Sequence, residues 1–196
     1  MLRVLWPIRV GAWFCPFDGE FLEGLRGELL AAHQSFSTGS EIWERLPHNL
    51  ADVPTQRLRA VFDWTVSCVH EYTGKPLEIL HIDSRELVRV AGQEILHHSD
   101  RDEGDITAQF FLDGLNPHPG VSWDDINRFG ENAFHLDDPS MYGSERRMPW
   151  EQFHRCWIQP FKGLVVLYPS RLPHAQRPYK GDDRFVQLLI NLKVSL

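Results

Sequence analysis

Cysteine is scarce in this 196-residue chain, and its three copies lie far apart. Cys15, Cys68 and Cys156 form no CxxC pair, which argues against a zinc knuckle or a disulfide framework and favours free thiols in a reducing cytoplasm. Long apolar runs are also lacking, because Arg3 and Pro7 interrupt the one near the N-terminus. We therefore expect neither a signal peptide nor a membrane span.

Basic residues are fewer than acidic ones: the chain has 20 Lys and Arg and 27 Asp and Glu, which gives a net charge of -7. Such a chain is poorly suited to nonspecific binding to nucleic acid or to an anionic membrane. Repeats, low-complexity tracts and Gly/Ser linkers are absent from the sequence, so we expect one domain over residues 1–196. We predict a cytoplasmic protein. The sequence does not define its oligomeric state, and a homodimer is one option.

The first part of the chain, residues 1–75, carries helical patterns. Apolar residues at spacings of three and four predict one helix over 17–34 and a second over 53–73. Asp52 is the expected N-cap of the second helix, and Gly74 is expected to end it. The residues before the first helix predict a strand packed on the core.

Short β-like runs follow over residues 76–194. They are LEILHI (77–82), ELVRV (86–90), QEILH (93–97), ITAQFFL (106–112), RCWIQ (155–159), GLVVLY (163–168) and RFVQLLINLKV (184–194). Turn residues separate them, among them Asp83-Ser84. Helices first and strands afterwards predict an α+β chain whose β part is a sandwich or barrel. A polar insertion, residues 113–154, is long for a structureless loop and is therefore a candidate functional segment.

A His-x-Asp motif occurs three times, at His81–Asp83, His98–Asp100 and His135–Asp137. Alternate residues of a strand share a face, so a strand presents both side chains together. With a second His from elsewhere, such a pair forms the facial triad typical of non-haem Fe(II) oxygenases. Context favours His98–Asp100, because a strand and a glycine turn precede it and a charged turn and an apolar strand follow.

The two other pairs fit this context less well. His81–Asp83 precedes the glycine turn at Gly92, and we interpret it as a strand His running into an Asp-Ser turn. His135–Asp137 leaves 36 residues before His174, too few for the intervening strands. Near the C-terminus, an apolar strand runs into Pro-Ser, a tight turn presents His174, and Arg184 opens the last strand.

In this order the motifs resemble the 2-oxoglutarate/Fe(II)-dependent dioxygenase superfamily, particularly its prolyl-hydroxylase-like bacterial and phage branches. The match covers roughly residues 76–194, with YPS (168–170) where relatives carry a Phe-Pro-Ser-like turn before the distal His. The resemblance implies a double-stranded β-helix, a jelly-roll or cupin-like barrel, with the N-terminal helices buttressing one sheet. It also implies Fe(II), 2-oxoglutarate and O2 as the reacting partners of the site.

The resemblance assigns roles to individual residues. Iron would be held by His98, Asp100 and His174, and the distal carboxylate of 2-oxoglutarate by Arg184, whose guanidinium fork suits a carboxylate. Many relatives carry a hydroxyl residue two positions after this basic anchor, where this chain has Val186. The second carboxylate contact therefore stays open, with three glutamines as candidates: Gln93, Gln109 and Gln187.

Hydroxylation of an amino acid, a peptidyl side chain or a small metabolite, with release of succinate and CO2, is the reaction that the resemblance implies. Asp100 argues against a halogenase, in which Gly or Ala commonly replaces the carboxylate. Ile190 stands where the nucleic-acid demethylase branch has a second Arg. The alternatives are a cupin-type metal-binding isomerase, dioxygenase or sensor that does not use 2-oxoglutarate, and a degenerate binding module.

The insertion mixes aromatic and acidic residues, and we expect it beside the open end of the barrel. Trp123 and Asp124 are the predicted substrate contacts, closing over a positively charged group and excluding water. The same segment holds Asp125, Glu131, Asp137, Asp138, Arg146, Arg147 and Trp150. The alternative is a solvated acidic surface loop.

Overall fold

The computed structural model describes residues 2–5, 8–36, 49–100, 103–130, 132–137 and 155–195. Its helices are α1 (Gly19–Phe36), α2 (Gln56–Thr73) and the short α3 (Trp123–Ile126). Its strands are β1 (Leu2–Leu5), β2 (Ile8–Phe14), β3 (Ile79–Arg89), β4 (Ile95–His98), β5 (Ile106–Phe111), β6 (Phe134–Asp137), β7 (Arg155–Ile158), β8 (Leu164–Pro169), β9 (His174–Gln176) and β10 (Phe185–Val194). None of the described helices is long and apolar enough to cross a membrane.

The strands form two antiparallel sheets, so the molecule combines helices with sheets as predicted. The larger sheet has the order β1-β2-β8-β5-β10-β3, and the smaller has the order β4-β9-β6-β7. From β3 onwards the chain passes repeatedly from one sheet to the other, and among the described strands only β6 and β7 follow one another within the same sheet.

Helices α1 and α2 pack on one face of the larger sheet. Leu25 of α1 and Val61 of α2 are fully buried in a cluster with Phe110, Val165 and Leu188 of the sheet. The other face of this sheet contributes a second cluster, in which Phe111, Val166 and Phe185 meet Phe134 and Leu136 of the smaller sheet. Because alternate strand residues point to opposite faces, one strand serves both clusters.

Helix α2 begins later than its pattern predicted. Its N-cap is Thr55, whose side-chain oxygen accepts a hydrogen bond from the N–H of Leu58, so the prediction of Asp52 as the cap is wrong. Gly74 ends the helix as predicted, in the left-handed conformation (φ 73°) that glycine adopts without a steric penalty.

Strand β3 runs without a break through Asp83-Ser84, where the sequence predicted a turn. Asp83 pairs with Asn191 and Ser84 with Ile190 of β10, and the Ser84 N–H also reaches the Asn49 side chain. Ladder pairing along 11 residues outweighs the local turn preference of Asp and Ser. The tight turn predicted before His174 is present, because the N–H of Leu172 donates to the carbonyl oxygen of Pro169 at 2.9 Å, and His174 then begins β9.

The described part of the predicted insertion contains α3 and β6. Helix α3 starts with a capping box in which Ser122 and Asp125 bond to each other's backbone N–H. Strand β6 is completely buried. Glu131, Asp138, Arg146, Arg147 and Trp150 lie outside the described residues.

Candidate metal centre

Two neighbouring strands and the turn after one of them bring His98, Asp100 and His174 together. His98 ends β4 and pairs with His174 at the start of β9, and Asp100 follows two residues later. Nε2 of His98 lies 3.6 Å from Oδ1 of Asp100, and Nε2 of His174 lies 3.6 Å from Oδ2. One ligand atom from each of the three residues lies within 4.8 Å of the other two.

Backbone carbonyls fix the orientation of both imidazoles. Nδ1 of His98 lies 2.8 Å from the carbonyl oxygen of Leu96, and Nδ1 of His174 lies 3.0 Å from that of Leu172. A carbonyl only accepts, so Nδ1 carries the proton in each ring. When the rings are neutral, Nε2 is then the basic nitrogen of each, and both Nε2 atoms face Asp100. This is the tautomer that metal-binding histidines use when the other nitrogen has a carbonyl partner.

Asp100 is buried, with 3% of its surface exposed, and buried hydroxyl groups surround it. Its N–H donates to the carbonyl oxygen of Ser170 at 2.9 Å, and the Thr107 hydroxyl lies 3.4 Å from Oδ2. The same hydroxyl contacts Oδ1 of Asn191 at 2.8 Å and Oγ of Ser170 at 2.9 Å. Burial raises the pKa of Asp100, and the charge of His98 opposes that rise.

An ion pair lies behind the carboxylate. Nη2 of Arg85, on β3, is 3.0 Å from Oε2 of Glu103 and 3.8 Å from Oδ1 of Asp100. Asn191 donates from Nδ2 to the same Glu103 oxygen at 2.8 Å. Arg85 therefore places positive charge beside Asp100, which favours the ionised carboxylate that a metal requires, whereas the negative charge of Glu103 favours the protonated form.

The donor set fits a divalent first-row metal ion. Ligand atoms that bind one metal at about 2.1 Å are roughly 3 to 3.5 Å apart, close to the separations around Asp100. Two imidazole nitrogens and one carboxylate leave coordination positions open, as in non-haem iron sites. The His98 side chain is 35% exposed, so one side of the cluster faces solvent.

The two other His-x-Asp pairs are not part of this cluster. His81 is an exposed residue of β3. His135 follows the buried Phe134 on β6, where its ring contacts Trp157, and Asp137 accepts from Nε of Arg155 at 2.7 Å. The FHLD segment is thus a buried inner strand, lying between β9 and β7. The side chain of His97 lies outside the described residues.

Arg184 is not brought together with the triad. It precedes β10 and lies two positions before Val186, which packs against the helices. Its carbonyl oxygen accepts from Arg26 of α1 at 2.9 Å, and its charge helps burial to lower the pKa of His33 on the same helix. It lines a cavity of about 850 Å³ whose described walls include Asp113 but no member of the triad.

The candidate glutamines are divided between a turn and the interior. Oε1 of Gln93 accepts from the N–H of Val90 and closes the turn between β3 and β4. Gln109 and Gln187 are buried between the sheets, where Nε2 of Gln109 donates to Gln187 at 3.0 Å and Gln187 donates to Gln176 at 2.9 Å. Gln109 and Gln187 therefore line the interior in which the triad lies, whereas the side chain of Gln93 is hydrogen-bonded to the backbone of its own turn.

Trp123 and Asp124 lie on α3. Trp123 is buried in the inter-sheet cluster, whereas Asp124 is exposed. The insertion leaves β5 at Phe111, which is four residues, or about 13 Å of strand, from Thr107 beside the metal cluster. The position expected for the insertion, beside the open end of the barrel, and the substrate-binding role of both residues stay predictions.

The sequence analysis assigned no role to four polar residues of this interior: Arg85, Arg89, Thr107 and Tyr168. Tyr168 and Arg89 are fully buried, and the Tyr168 ring lies 5.3 Å from that of His174. The sequence did contain a pattern that marks the two arginines. They stand four residues apart in one strand, so both side chains lie on the same face. Tyr168 is marked only as the first residue of the YPS turn, and nothing local marks Thr107, whose surroundings come from distant segments.

Comparison with known proteins gives similarity in structure alone. No protein-family model and no curated protein sequence matches this chain. A prolyl-4-hydroxylase from Pseudomonas putida is similar at 10% identity, over 95% of this chain and 88% of its own, with a TM-score of 0.56. HygX from Streptomyces hygroscopicus, solved with nickel and 2-oxoglutarate, has 14% identity over 92% and 81%, with a TM-score of 0.61.

A third similar structure is SnoK, a non-heme alpha-ketoglutarate-dependent carbocyclase from nogalamycin biosynthesis. It is 16% identical over 94% of this chain and 79% of its own, with a TM-score of 0.62. These structures define the class of fold: this chain has the fold found in 2-oxoglutarate-dependent non-haem iron enzymes.

Proposed function

We propose that this protein is an Fe(II)- and 2-oxoglutarate-dependent oxygenase. The observation that carries the proposal is the convergence of His98, Asp100 and His174, with both Nε2 atoms 3.6 Å from the carboxylate. The fold alone does not define a function, because a fold hosts many activities. The donor set narrows the choice, since two imidazoles and one carboxylate with open positions are the ligands of non-haem Fe(II) oxygenases.

The strand order supports a double-stranded β-helix as the scaffold. Strands β3, β10, β5 and β8 of the larger sheet would face β4, β9, β6 and β7 of the smaller sheet. In this arrangement residues 76–194 form the catalytic unit, and helices of residues 1–75 support the larger sheet. His98 and His174 would then lie on adjacent strands of the smaller sheet, with their rings 4.3 Å apart.

The chain's own residues would bind the metal and keep its ligands in the correct state. The carbonyl groups of Leu96 and Leu172 hold the protons on Nδ1, and Arg85 stabilises the charge of Asp100. Bound Fe(II) would supply the activation of O2 coupled to conversion of 2-oxoglutarate into succinate and CO2. Buried polar atoms without partners among the described residues, including the Tyr168 hydroxyl, support an interior that receives a polar co-substrate.

The proposed substrate is a small molecule or a peptidyl side chain, and hydroxylation is the proposed outcome. The similar structures include a prolyl-4-hydroxylase, an epimerase and a carbocyclase, so one scaffold of this class supports several oxidative outcomes. A cupin-type enzyme that does not use 2-oxoglutarate is the alternative, and co-substrate dependence separates the two.

The test is succinate formation by protein reconstituted with Fe(II), supplied with 2-oxoglutarate and a metabolite library in air. We expect slow substrate-free succinate release that requires Fe(II), and faster release when the substrate is present. Asp100→Ala should abolish both, because it removes the charged ligand. His135→Ala is the matched control and should retain both, because His135 lies outside the cluster. Succinate release that survives Asp100→Ala would contradict the proposal.

A further inference from the structure

Arg89 is a fully buried cation near the end of β3. It shares a strand face with Arg85, because the two are four residues apart and side chains alternate along a strand. Arg85 reaches Asp100 from that face. Arg89 also pairs with Phe185 of β10, which belongs to the inter-sheet cluster. The guanidinium of Arg89 is therefore directed into the same interior as the metal cluster.

The guanidinium of Arg89 has few partners. Nη1 donates to the carbonyl oxygen of Arg177 at 2.8 Å, but Nε and Nη2 have no hydrogen-bond partner among the described residues. Its charge lies over the rings of Phe185, 4.7 Å away, and Tyr179, 5.9 Å away. Within the described part of the chain, no carboxylate forms an ion pair with it.

Such an arrangement is costly unless an anion completes it. A buried charge without a counter-ion loses its hydration, and ring contacts recover only part of that energy. Desolvation accordingly lowers the pKa of Arg89 to about 10. Nε and one terminal nitrogen form one edge of the planar fork, and this edge binds a carboxylate through two parallel hydrogen bonds.

The distance from the metal cluster suits a short dicarboxylate. Four strand residues separate Arg85 from Arg89, which is about 13 Å. Because both side chains stand roughly perpendicular to the sheet, the ligand must bridge this distance: about 5 Å between the end carbons of a five-carbon chain, plus about 3 Å of contact at each end, accounts for most of it. Tyr168 and Phe134, whose rings lie 5.3 and 5.6 Å from that of His174, belong to the same cluster as Phe185.

We propose that Arg89, and not Arg184, binds the distal carboxylate of 2-oxoglutarate. This inference rests on the proposed function. Arg184 precedes the strand residue Phe185 by one position, and Phe185 is the residue that faces the interior there. Because a shift of one residue reverses the face, Arg184 lies on the side of α1, where its carbonyl oxygen accepts from Arg26, while Arg89, the cross-strand partner of Phe185, supplies the interior cation.

The test is a binding titration of the metal-loaded protein under anaerobic conditions, read by calorimetry. The two ligands are 2-oxoglutarate and 2-oxopentanoate, which has the same chain and the same 2-oxo acid group but ends in a methyl group. We expect the unmodified protein to bind 2-oxoglutarate at least tenfold more tightly. Arg89→Met should remove this preference, whereas Arg184→Met should keep it.

Metal affinity provides the control, because Arg89→Met should bind metal as tightly as the unmodified protein if its fold is intact. Preference kept in a folded Arg89→Met, or lost in Arg184→Met, would overturn the inference while leaving the proposed function standing. If Arg89→Met does not fold, Arg89→Lys is compared with Arg184→Met instead. We expect the preference for 2-oxoglutarate over 2-oxopentanoate to fall in Arg89→Lys and to stay unchanged in Arg184→Met. Failure of the unmodified metal-loaded protein to bind 2-oxoglutarate would overturn the proposed function itself.

Discussion

Replacing Thr107 by Val would test the cluster of buried polar groups around Asp100. The change keeps the side-chain shape but removes a hydroxyl group that lies 2.8 Å from Oδ1 of Asn191 and 2.9 Å from Oγ of Ser170. An amide oxygen only accepts, so the Thr107 hydroxyl donates to Asn191 and accepts from Ser170. Both partners are at most 2% exposed and would be left unpaired.

The expected cost follows from those two groups. An unsatisfied buried polar group costs about 1–3 kcal/mol, so the two groups left unpaired by Thr107→Val should lower the free energy of unfolding by about 2–6 kcal/mol. Loss of a group that orients a metal ligand should also weaken metal binding by about tenfold or more. The assays are urea unfolding of the metal-free protein and a metal titration of each folded variant.

Thr65→Val is the matched control. Thr65 on α2 is as fully buried as Thr107, but its hydroxyl has no hydrogen-bond partner among the described residues. The same substitution there should leave the free energy of unfolding unchanged or raise it. If the two variants unfold at the same denaturant concentration, the hydroxyl cluster does not stabilise the protein and the reasoning is refuted.

Three further predictions concern the triad, a buried acid and a tight turn. His98→Ala and His174→Ala should lose metal in a titration while remaining folded, whereas His81→Ala and His135→Ala should retain it; metal loss in His135→Ala alone would show that a different pair binds. Burial raises the pKa of Glu86 to about 7, so its ionisation opposes folding and stability falls as pH rises from about 4.5 towards 7. Glu86→Gln should therefore raise the free energy of unfolding at pH 8, with a gain that shrinks towards pH 5, and an equal gain at both values would point to a cause other than ionisation. Gly114→Ala should destabilise more than Gly74→Ala, because a Cβ at Gly114 would lie 2.5 Å from the carbonyl oxygen of Pro160 whereas the space at Gly74 is open; equal unfolding midpoints would contradict this.

Local patterns in the sequence were sufficient for the two long helices and most of the strands, but not for α3. The apolar periods predicted α1, α2 and the strands that carry His98, the FFL segment and the C-terminal run, because helix and strand periods are properties of neighbouring residues. Gly74 ends α2 as predicted, since its left-handed conformation is a local requirement. The predicted triad residues also converge in space.

Other features depended on contacts between distant segments. The turn expected at Asp83-Ser84 is replaced by continuous pairing with β10, and the three-residue β9 exists only because β4 and β6 lie on either side of it. Neither strand carries enough local signal for its observed extent. Strand β3 pairs with residues of β10 that are 96 to 115 positions away, and β9 pairs with residues about 80 positions away in β4 and about 40 positions away in β6.

Which arginine lies in the interior also depends on contacts between distant segments. Sequence spacing marks Arg184, ten residues after His174, but spacing does not define which face of β10 receives a side chain. In the folded chain Val186 packs against the helices, Phe185 faces the interior, and Arg89 lies beside Phe185 on the adjacent strand. Alternation of side chains along a strand is a local rule. Whether the odd or the even residues face the interior depends on which layer packs on each face of the sheet, and only the tertiary structure determines that.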